Sequence, residues 1–132
     1  YCLVFCSKWI RTDTKHKNNP NYVYLIGANF ISPVLQEICE KQNNTYTKLT
    51  IDYTYNSKTH PERFYYRSDH YPFAKQGVPS VFYFSGIHKD YHESSDTAEK
   101  IDYKKVQLLS RLIFHTAWGL LNTERSLIPK KP

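Results

Sequence analysis

The 132-residue sequence has no methionine, only four glycines and only three cysteines. With so few glycines, it contains no glycine-rich loop of the kind that cradles phosphate groups. Ser68 is not flanked by the glycines of a nucleophile elbow, which argues against a serine hydrolase. Cys2 and Cys6 lack the second Cys or His pair of a zinc knuckle, and Cys39 falls on the apolar face of a predicted helix. These scarcities exclude several common catalytic and binding motifs.

Long apolar runs are also missing. No run approaches the roughly eighteen residues that a membrane span needs, and the first residues lack the basic start and cleavage site of a signal peptide. Because the sequence does not begin with methionine, we expect it to begin inside a longer protein. The net charge is +6, but the basic residues are spread thinly, so neither nucleic acid nor a membrane is an expected partner.

The composition is that of a globular domain, with 40% hydrophobic and 16% aromatic residues. Apolar patterns predict strands at residues 1–10, 22–26, 49–53 and 78–84, and helices at residues 33–42, at residues 69–76 and after residue 102. The run at residues 78–84 is almost continuously apolar, which is typical of a strand buried on both faces. Strands that alternate with helices predict an α/β fold.

Six residues mark the predicted helix ends. Ser32 and Pro33 suit the cap and the first position of a helix, which Asn43-Asn44 would end. Gly77 would stop the short helix at residues 69–76. Asp102 can cap the last helix, for which we predict an apolar stripe of Val106, Leu109, Ile113, Ala117 and Leu120, widened by Leu112 and Leu121.

Two polar segments flank the strand at residues 78–84. The first contains Arg67 and Asp69, and the second contains Tyr91, His92 and Asp96. Ligands of open α/β sheets bind in the crevice beyond the carboxyl ends of strands, so the second segment is a candidate site.

Structural roles for the same residues stay open. Asp69 could cap the following helix, Asp96 could cap a turn at residues 97–100, and Arg67 could pair with either carboxylate. Tyr91 could be an aromatic lid on the sheet edge, and His92 could be a histidine of a surface loop.

Blocks in a fixed order resemble the C-terminal half of a co-catalytic zinc aminopeptidase. The blocks are Arg67-Ser68-Asp69-His70, residues 73–79, Asp90-Tyr91-His92 and residues 96–103. Together they are a specific signal, and the resemblance covers roughly residues 11–122. The family includes bacterial leucyl-type aminopeptidases and glutamate carboxypeptidase.

The resemblance implies an incomplete three-layer α/β sandwich, with a mixed sheet flanked by helices, and a peptide substrate. It implies a site for two zinc ions in which His92 would be a metal ligand. Tyr91 would donate a hydrogen bond to the tetrahedral oxyanion. Arg67 would lie near the substrate, and Asp69 would be a carboxylate near the site without binding metal. Asp96 would fix the tautomer of His92.

The sequence departs from the family pattern at the zinc ligands. No Glu-Glu pair occurs, although this pair supplies the general base and one ligand in the family. Arg11-Thr12-Asp13 resembles the residues that follow another ligand motif, but that motif would fall at residues 5–9, which contain no acidic residue. One histidine cannot hold two zinc ions.

Two functions therefore stay open. The chain could be the C-terminal portion of a zinc-dependent exopeptidase that hydrolyses N-terminal peptide bonds with a metal-activated water. The alternative is a catalytically inactive peptidase-like domain with a structural or protein-interaction role.

For the domain organisation, we expect residues 1–122 to be the C-terminal part of one domain and residues 123–132 to be a polar tail. A missing N-terminal portion, or a second copy in a homo-oligomer, would cover an exposed sheet edge. The resemblance also implies an exported protein.

Overall fold

A computed structural model describes residues 2–5, as backbone, and residues 10–127. The strands are β1 (Cys2–Phe5), β2 (Tyr22–Ile26), β3 (Thr50–Asp52) and β4 (Ser80–Phe84), and the helices are α1 (Ala28–Ile31), α2 (Pro33–Gln42), α3 (Tyr71–Lys75) and α4 (Tyr103–Leu121). Short 3₁₀ turns lie at Phe64–Tyr66 and Ala98–Lys100, and a π-helical turn lies at Asn43–Thr47.

The four strands form one mixed sheet in the order β1-β4-β2-β3. β4 runs parallel to β1 and antiparallel to β2, with Tyr24 opposite Phe84, and β3 runs parallel to β2. The predicted α/β class is confirmed. The predicted strands agree with β2, β3 and β4 to within a few residues at each end, and residues 6–9 of the first predicted strand lie outside the described residues.

Both faces of the sheet are covered, because successive side chains of a strand point to opposite faces. On one face, Val23 and Val81 pack with the buried residues of α2 and α4. On the other, Tyr24 and Phe82 pack with Phe64 and other buried aromatic residues. All five residues of β4 are buried, as the apolar run predicts.

The predicted helix starts are confirmed at α2 and α4. The Ser32 hydroxyl accepts a hydrogen bond from the backbone N–H of Leu35 at 3.2 Å, with Pro33 at the first helical position. The Asp102 carboxylate accepts one from the backbone N–H of Lys105 at 3.0 Å. Each cap satisfies a backbone donor that the helix itself leaves unpaired.

The predicted end of α2 is confirmed, because the α-helix ends at Gln42 with Asn43 as its C-cap, and the π-helical turn Asn43–Thr47 follows directly. The prediction for α4 is wrong in part. In α4, Leu121 is 70% exposed, whereas Lys105 is 2% exposed. Leu121 lies at the last position of the helix and Lys105 in its first turn, where the neighbouring loops, and not helical period, decide burial. No helix in the described part of the chain is long and apolar enough to cross a membrane.

Candidate functional site

The loops that follow β1 and β4 lie at one edge of the sheet, because these neighbouring strands are parallel. The backbone N–H of Asp102 donates to the carbonyl of Ile10 at 2.9 Å and joins the two loops at their ends. This is the edge where the sequence predicts a ligand crevice. A cleft of about 540 Å³ opens there, lined in part by Arg11, Thr14, His88 and Lys89.

Tyr91 and His92 lie in the loop after β4, between two overlapping turns. The backbone N–H of Tyr91 donates to the carbonyl of His88 at 2.9 Å, and that of Glu93 donates to Asp90 at 3.0 Å. His92 is exposed and has a φ of 65°, in the left-handed region that side chains rarely adopt. The Tyr91 ring lies 4.2 Å from the His92 ring, between centroids.

Arg67 is exposed and belongs to a different ion pair from the one predicted. Its guanidinium lies 3.7 Å from the carboxylate of Glu62 and 5.3 Å from the centroid of the Phe64 ring. The predicted pairing with Asp69 or Asp96 is wrong, because the 3₁₀ turn at Phe64–Tyr66 directs Arg67 back toward Glu62.

Asp69 is exposed and does not cap α3. His70 precedes that helix, and no side chain caps it. The capping prediction for Asp69 is therefore wrong, because the helix begins two residues later than expected. His70 itself is fully buried, and burial lowers its pKa to about 4, against the weaker opposing effect of the Asp69 carboxylate.

Aromatic side chains connect the two polar segments. The Phe64 ring lies 4.8 Å from that of Phe84 at the end of β4, and Phe84 lies 6.2 Å from Tyr91. Because Arg67 rests on Phe64, both segments belong to the same face of the sheet. The structure thus places Arg67 and Tyr91 along one aromatic wall, with Tyr91 and His92 in direct ring contact.

Asp96 does not take either predicted role. One carboxylate oxygen lies 3.7 Å from Nε2 of His88, and the other lies 3.6 Å from the Arg11 guanidinium. The 3₁₀ turn that follows has Thr97 at its N-terminal end and no side-chain cap. Both predictions, as a partner of His92 and as a cap, are wrong, because Asp96 points into the loop toward His88.

His88, Asp90 and Asp96 form a cluster that the sequence did not reveal. Their ligand atoms lie within 4.8 Å of one another. Asp90 pairs with the Arg11 guanidinium and lies 3.3 Å from Nζ of Lys100. The Ser95 hydroxyl donates to Asp90 at 2.7 Å. This hydrogen bond, with the Lys100 and Arg11 cations, lowers the pKa of Asp90.

A metal ion does not fit this cluster. Two carboxylates and a histidine are suitable ligands, but the Arg11 and Lys100 cations already contact the Asp90 carboxylate. A divalent ion would have to displace both of them. His92 is the other candidate ligand in residues 10–127, and a single histidine is too few for a zinc site. The ligand motif expected at residues 5–9 extends beyond the described residues.

Asp13 connects the first loop to the sheet. Its carboxylate accepts hydrogen bonds from the Tyr24 hydroxyl at 2.6 Å and from the backbone N–H of His16 at 2.9 Å. Its own N–H donates to the Tyr22 hydroxyl at 2.9 Å, which in turn donates to the Ser85 carbonyl. Burial, reinforced by Asp13, raises the pKa of Tyr24 well above its usual range, so this network stays uncharged at its tyrosines.

Lys105 reaches the same region from α4. Its Nζ lies 3.3 Å from the centroid of the Tyr22 ring, which is a cation–π contact. Burial lowers the pKa of Lys105 to about 7, against the opposing effects of the Asp13 and Asp102 carboxylates.

Cys39 is buried on α2. Burial raises the pKa of its thiol to about 12, which makes it a poor nucleophile.

A sequence model of peptidase family M28 matches residues 7–117, which is most of the chain. The chain belongs to peptidase family M28. The predicted resemblance to zinc aminopeptidases is thereby confirmed at the level of the family.

Two solved structures from Legionella pneumophila share the fold. The alignment with the LapA aminopeptidase has 16% sequence identity and a TM-score of 0.69. It covers 93% of this chain and 31% of the LapA chain. The alignment with LapB has 16% sequence identity and a TM-score of 0.70. It covers 92% of this chain and 32% of the LapB chain. The M28 chain described here thus spans about a third of their length. Among curated proteins, none is similar enough to support a relationship.

Proposed function

We propose that this chain is the C-terminal part of a zinc-dependent aminopeptidase domain, and that Tyr91 and His92 are its contribution to the active site. The observation that carries this proposal is the presentation of both side chains by the loop after β4, at the carboxyl edge of β1 and β4. Membership of peptidase family M28 supports a peptide substrate. The LapA aminopeptidase, which has the same fold, supports cleavage at the N-terminus.

The backbone at His92 favours a functional role over a surface histidine. A non-glycine residue with a φ of 65° is strained by about 1 kcal/mol or more, and such strain concentrates at active sites. The two turns around His92 hold this conformation and keep its ring against Tyr91. Lys48 and Arg63 also have a positive φ, so the backbone of His92 supports a role in the site only together with its ring contact with Tyr91.

Tyr91 has a hydroxyl suited to the carbonyl oxygen of a bound peptide. Its ring packs against Phe84 and His92, which restricts its orientation before a substrate arrives. A fixed donor of this kind stabilises negative charge that develops on a carbonyl oxygen during hydrolysis. The lid and donor interpretations are compatible, because both need the ring packed at the edge of the sheet.

Zinc remains part of the proposal for the complete domain. His92 would be one ligand, and the others would come from outside residues 10–127. Arg67 and Asp69 would contribute to the wall near the substrate and not to the metal. Export from the cell stays a prediction based on the family resemblance.

A catalytically inactive peptidase-like domain is a second candidate. The observation that favours it is the cluster of His88, Asp90 and Asp96, in which Arg11 and Lys100 both pair with the Asp90 carboxylate. Together with the missing Glu-Glu pair, this would suit a domain that binds peptides or proteins without cleaving them.

The gene product that contains this chain provides the test. We expect it to bind zinc and to hydrolyse a chromogenic aminoacyl amide, and a chelator should abolish turnover. Tyr91→Phe should lower kcat by roughly 100-fold, because it removes one oxyanion donor. His92→Ala should lower both zinc content and turnover.

Tyr46→Phe is the matched control, because this tyrosine is 45% exposed and lies on the π-helical turn away from the site. It should leave kcat unchanged. A zinc-free, folded gene product without turnover would reject the enzyme and support the inactive domain. An active enzyme that is indifferent to Tyr91→Phe and His92→Ala would reject the assigned site.

A further inference from the structure

The loop from Gly86 to Asp102 contains little regular secondary structure. It connects β4 to α4 with no strand, and a single 3₁₀ turn at Ala98–Lys100 is its only helical segment. Long segments of this kind are held in one conformation by specific contacts or are mobile. Yet this loop maintains the strained backbone at His92, so its conformation must be fixed by something other than regular secondary structure.

Arg11 contacts the loop at several points. Its guanidinium pairs with Asp90, lies 3.6 Å from Asp96 and has Nη1 3.4 Å from Nδ1 of His88. Its Nε donates to the backbone carbonyl of Lys100 at 3.1 Å. One side chain thus connects both ends of the loop, on either side of Tyr91 and His92.

The charges and the burial suit a fixed guanidinium. The side chains of Asp90 and Asp96 are 8% and 4% exposed, and that of Arg11 is 15% exposed. Two carboxylates this close repel each other unless a cation lies between them. Arg11 is such a cation for both carboxylates, and Lys100 adds a second one beside Asp90.

We propose that Arg11 is a positioning residue, whose guanidinium serves as the built-in cation of the His88–Asp90–Asp96 cluster and thereby fixes the loop that presents Tyr91 and His92. The consequence for catalysis rests on the proposed function, whereas the ordering of the loop does not. Arg11 itself is not a catalytic residue in this proposal.

A lysine cannot take over this role. Nη1 of Arg11 contacts both carboxylates while Nε donates to the Lys100 carbonyl, and the planar guanidinium holds these two nitrogens in a fixed geometry. The ammonium of a lysine is a compact charge on a flexible stem and would not hold the carboxylates and the Lys100 carbonyl together. Arg11→Lys therefore separates the specific geometry of Arg11 from its charge.

Hydrogen exchange of the 132-residue chain tests the proposal without requiring turnover. In Arg11→Ala and in Arg11→Lys, we expect the amides of residues 88–100 to exchange at least tenfold faster, while those of β4 and α4 keep their rates. The ring-current shift that the Tyr91 ring imposes on the His92 ring protons should shrink in both variants. Millimolar methylguanidinium should restore protection in Arg11→Ala.

Lys15→Ala is the control, because it removes the same charge from the same connection between β1 and β2, where Lys15 pairs with Asp52 at 2.6 Å. It should leave the loop amides unchanged. Full protection of the loop in Arg11→Ala would overturn the proposal. Full protection of the loop in Arg11→Lys would also overturn the proposal. This variant retains the charge and can be measured even if the alanine variant does not fold. Because neither result depends on peptide hydrolysis, a failed aminopeptidase assay leaves this inference standing.

Discussion

At the residue scale, the backbone of Gly86 lies against the side chain of Asp13. Gly86 has a φ of +92°, and a Cβ atom at this position would lie 2.3 Å from a carboxylate oxygen of Asp13. The Asp13 side chain cannot move away easily, since the residue is 4% exposed and its carboxylate accepts a hydrogen bond from the Tyr24 hydroxyl. Glycine at position 86 is therefore what allows the loop after β4 to pass next to the loop after β1.

Gly86→Ala should be strongly destabilising. We expect a loss of about 3 kcal/mol in the free energy of unfolding, since the left-handed backbone costs about 1 kcal/mol and the overlap with Asp13 adds a similar amount or more. Urea denaturation followed by circular dichroism measures the change.

Gly77→Ala separates the two contributions. Gly77 has a φ of +78°, but a Cβ there would have no atom within 4 Å. It should cost only the backbone term of about 1 kcal/mol. Equal losses in the two variants would show that the contact with Asp13 has no energetic weight.

The residues of the candidate site differ in how far the sequence reveals them. Tyr91 and His92 are visible, because they occur in an ordered block just beyond a strongly apolar strand. Arg11 is not visible, because its partner Asp90 lies 79 positions away and no local pattern joins them. The predicted contacts of Arg67 and Asp69 failed, because a 3₁₀ turn decides where Arg67 points and α3 begins two residues later than predicted.

At the scale of elements, the connection between α2 and β3 depends on Asn43. The π-helical turn Asn43–Thr47 leaves the Asn43 amide buried and facing Leu49. Its NH₂ group donates to the Leu49 carbonyl at 2.8 Å, and its oxygen accepts from the Leu49 N–H at 3.0 Å. One side chain thus satisfies both backbone groups of the residue that leads into β3.

Asn43→Ala should therefore destabilise the fold by about 2 to 3 kcal/mol, because it leaves buried backbone groups of Leu49 unpaired. Asn44→Ala is the control, since Asn44 lies in the same turn and is exposed; it should change stability by less than about 0.5 kcal/mol. Thermal denaturation of the three proteins measures the difference. Similar melting temperatures for both variants would remove Asn43 from this role.

The elements that were predicted well carry strong local signals. Ser32-Pro33 starts α2, and the apolar run before Ser85 becomes β4. The four-residue helix α1 was missed, because it is too short to show helical periodicity. The π-helical turn was missed for a different reason: Asn43-Asn44 is a normal stop signal, and only the tertiary bonds to Leu49 make continuation favourable.

At the scale of the whole molecule, two buried basic side chains link the fold to pH. His70 lies under the aromatic face, and Lys105 lies where α4 meets both site loops. The family resemblance predicts the sheet and the flanking helices that bury these two side chains. The apolar stripe predicted for the last helix does not include Lys105. Burial lowers the pKa of both groups, and the charged form of each is therefore the unfavourable one.

Lys105 should make stability increase with pH above neutrality. Its pKa is about 7 in the folded chain and 10.5 without burial, so between these values the unfolded chain binds more protons than the folded one. The free energy of unfolding should then rise by roughly 1 kcal/mol per pH unit from pH 7 to about 8.5. The upper limit lies near the usual pKa of a thiol, above which ionisation of Cys39 in the unfolded chain lowers the slope, and well below the usual pKa of tyrosine.

Lys105→Met isolates this effect, because it fills the same space without a titrating group. We expect the variant to lose the slope between pH 7 and about 8.5 and to be more stable than the parent at pH 7, where the buried charge is costly. Lys104→Met, at the adjacent exposed position, should keep the slope. Urea denaturation across this pH range measures all three proteins. A slope that survives in Lys105→Met would mean that another group titrates. Lys105 would then stay charged throughout this pH range, because its cation–π contact with Tyr22 and the Asp13 carboxylate outweigh the effect of burial.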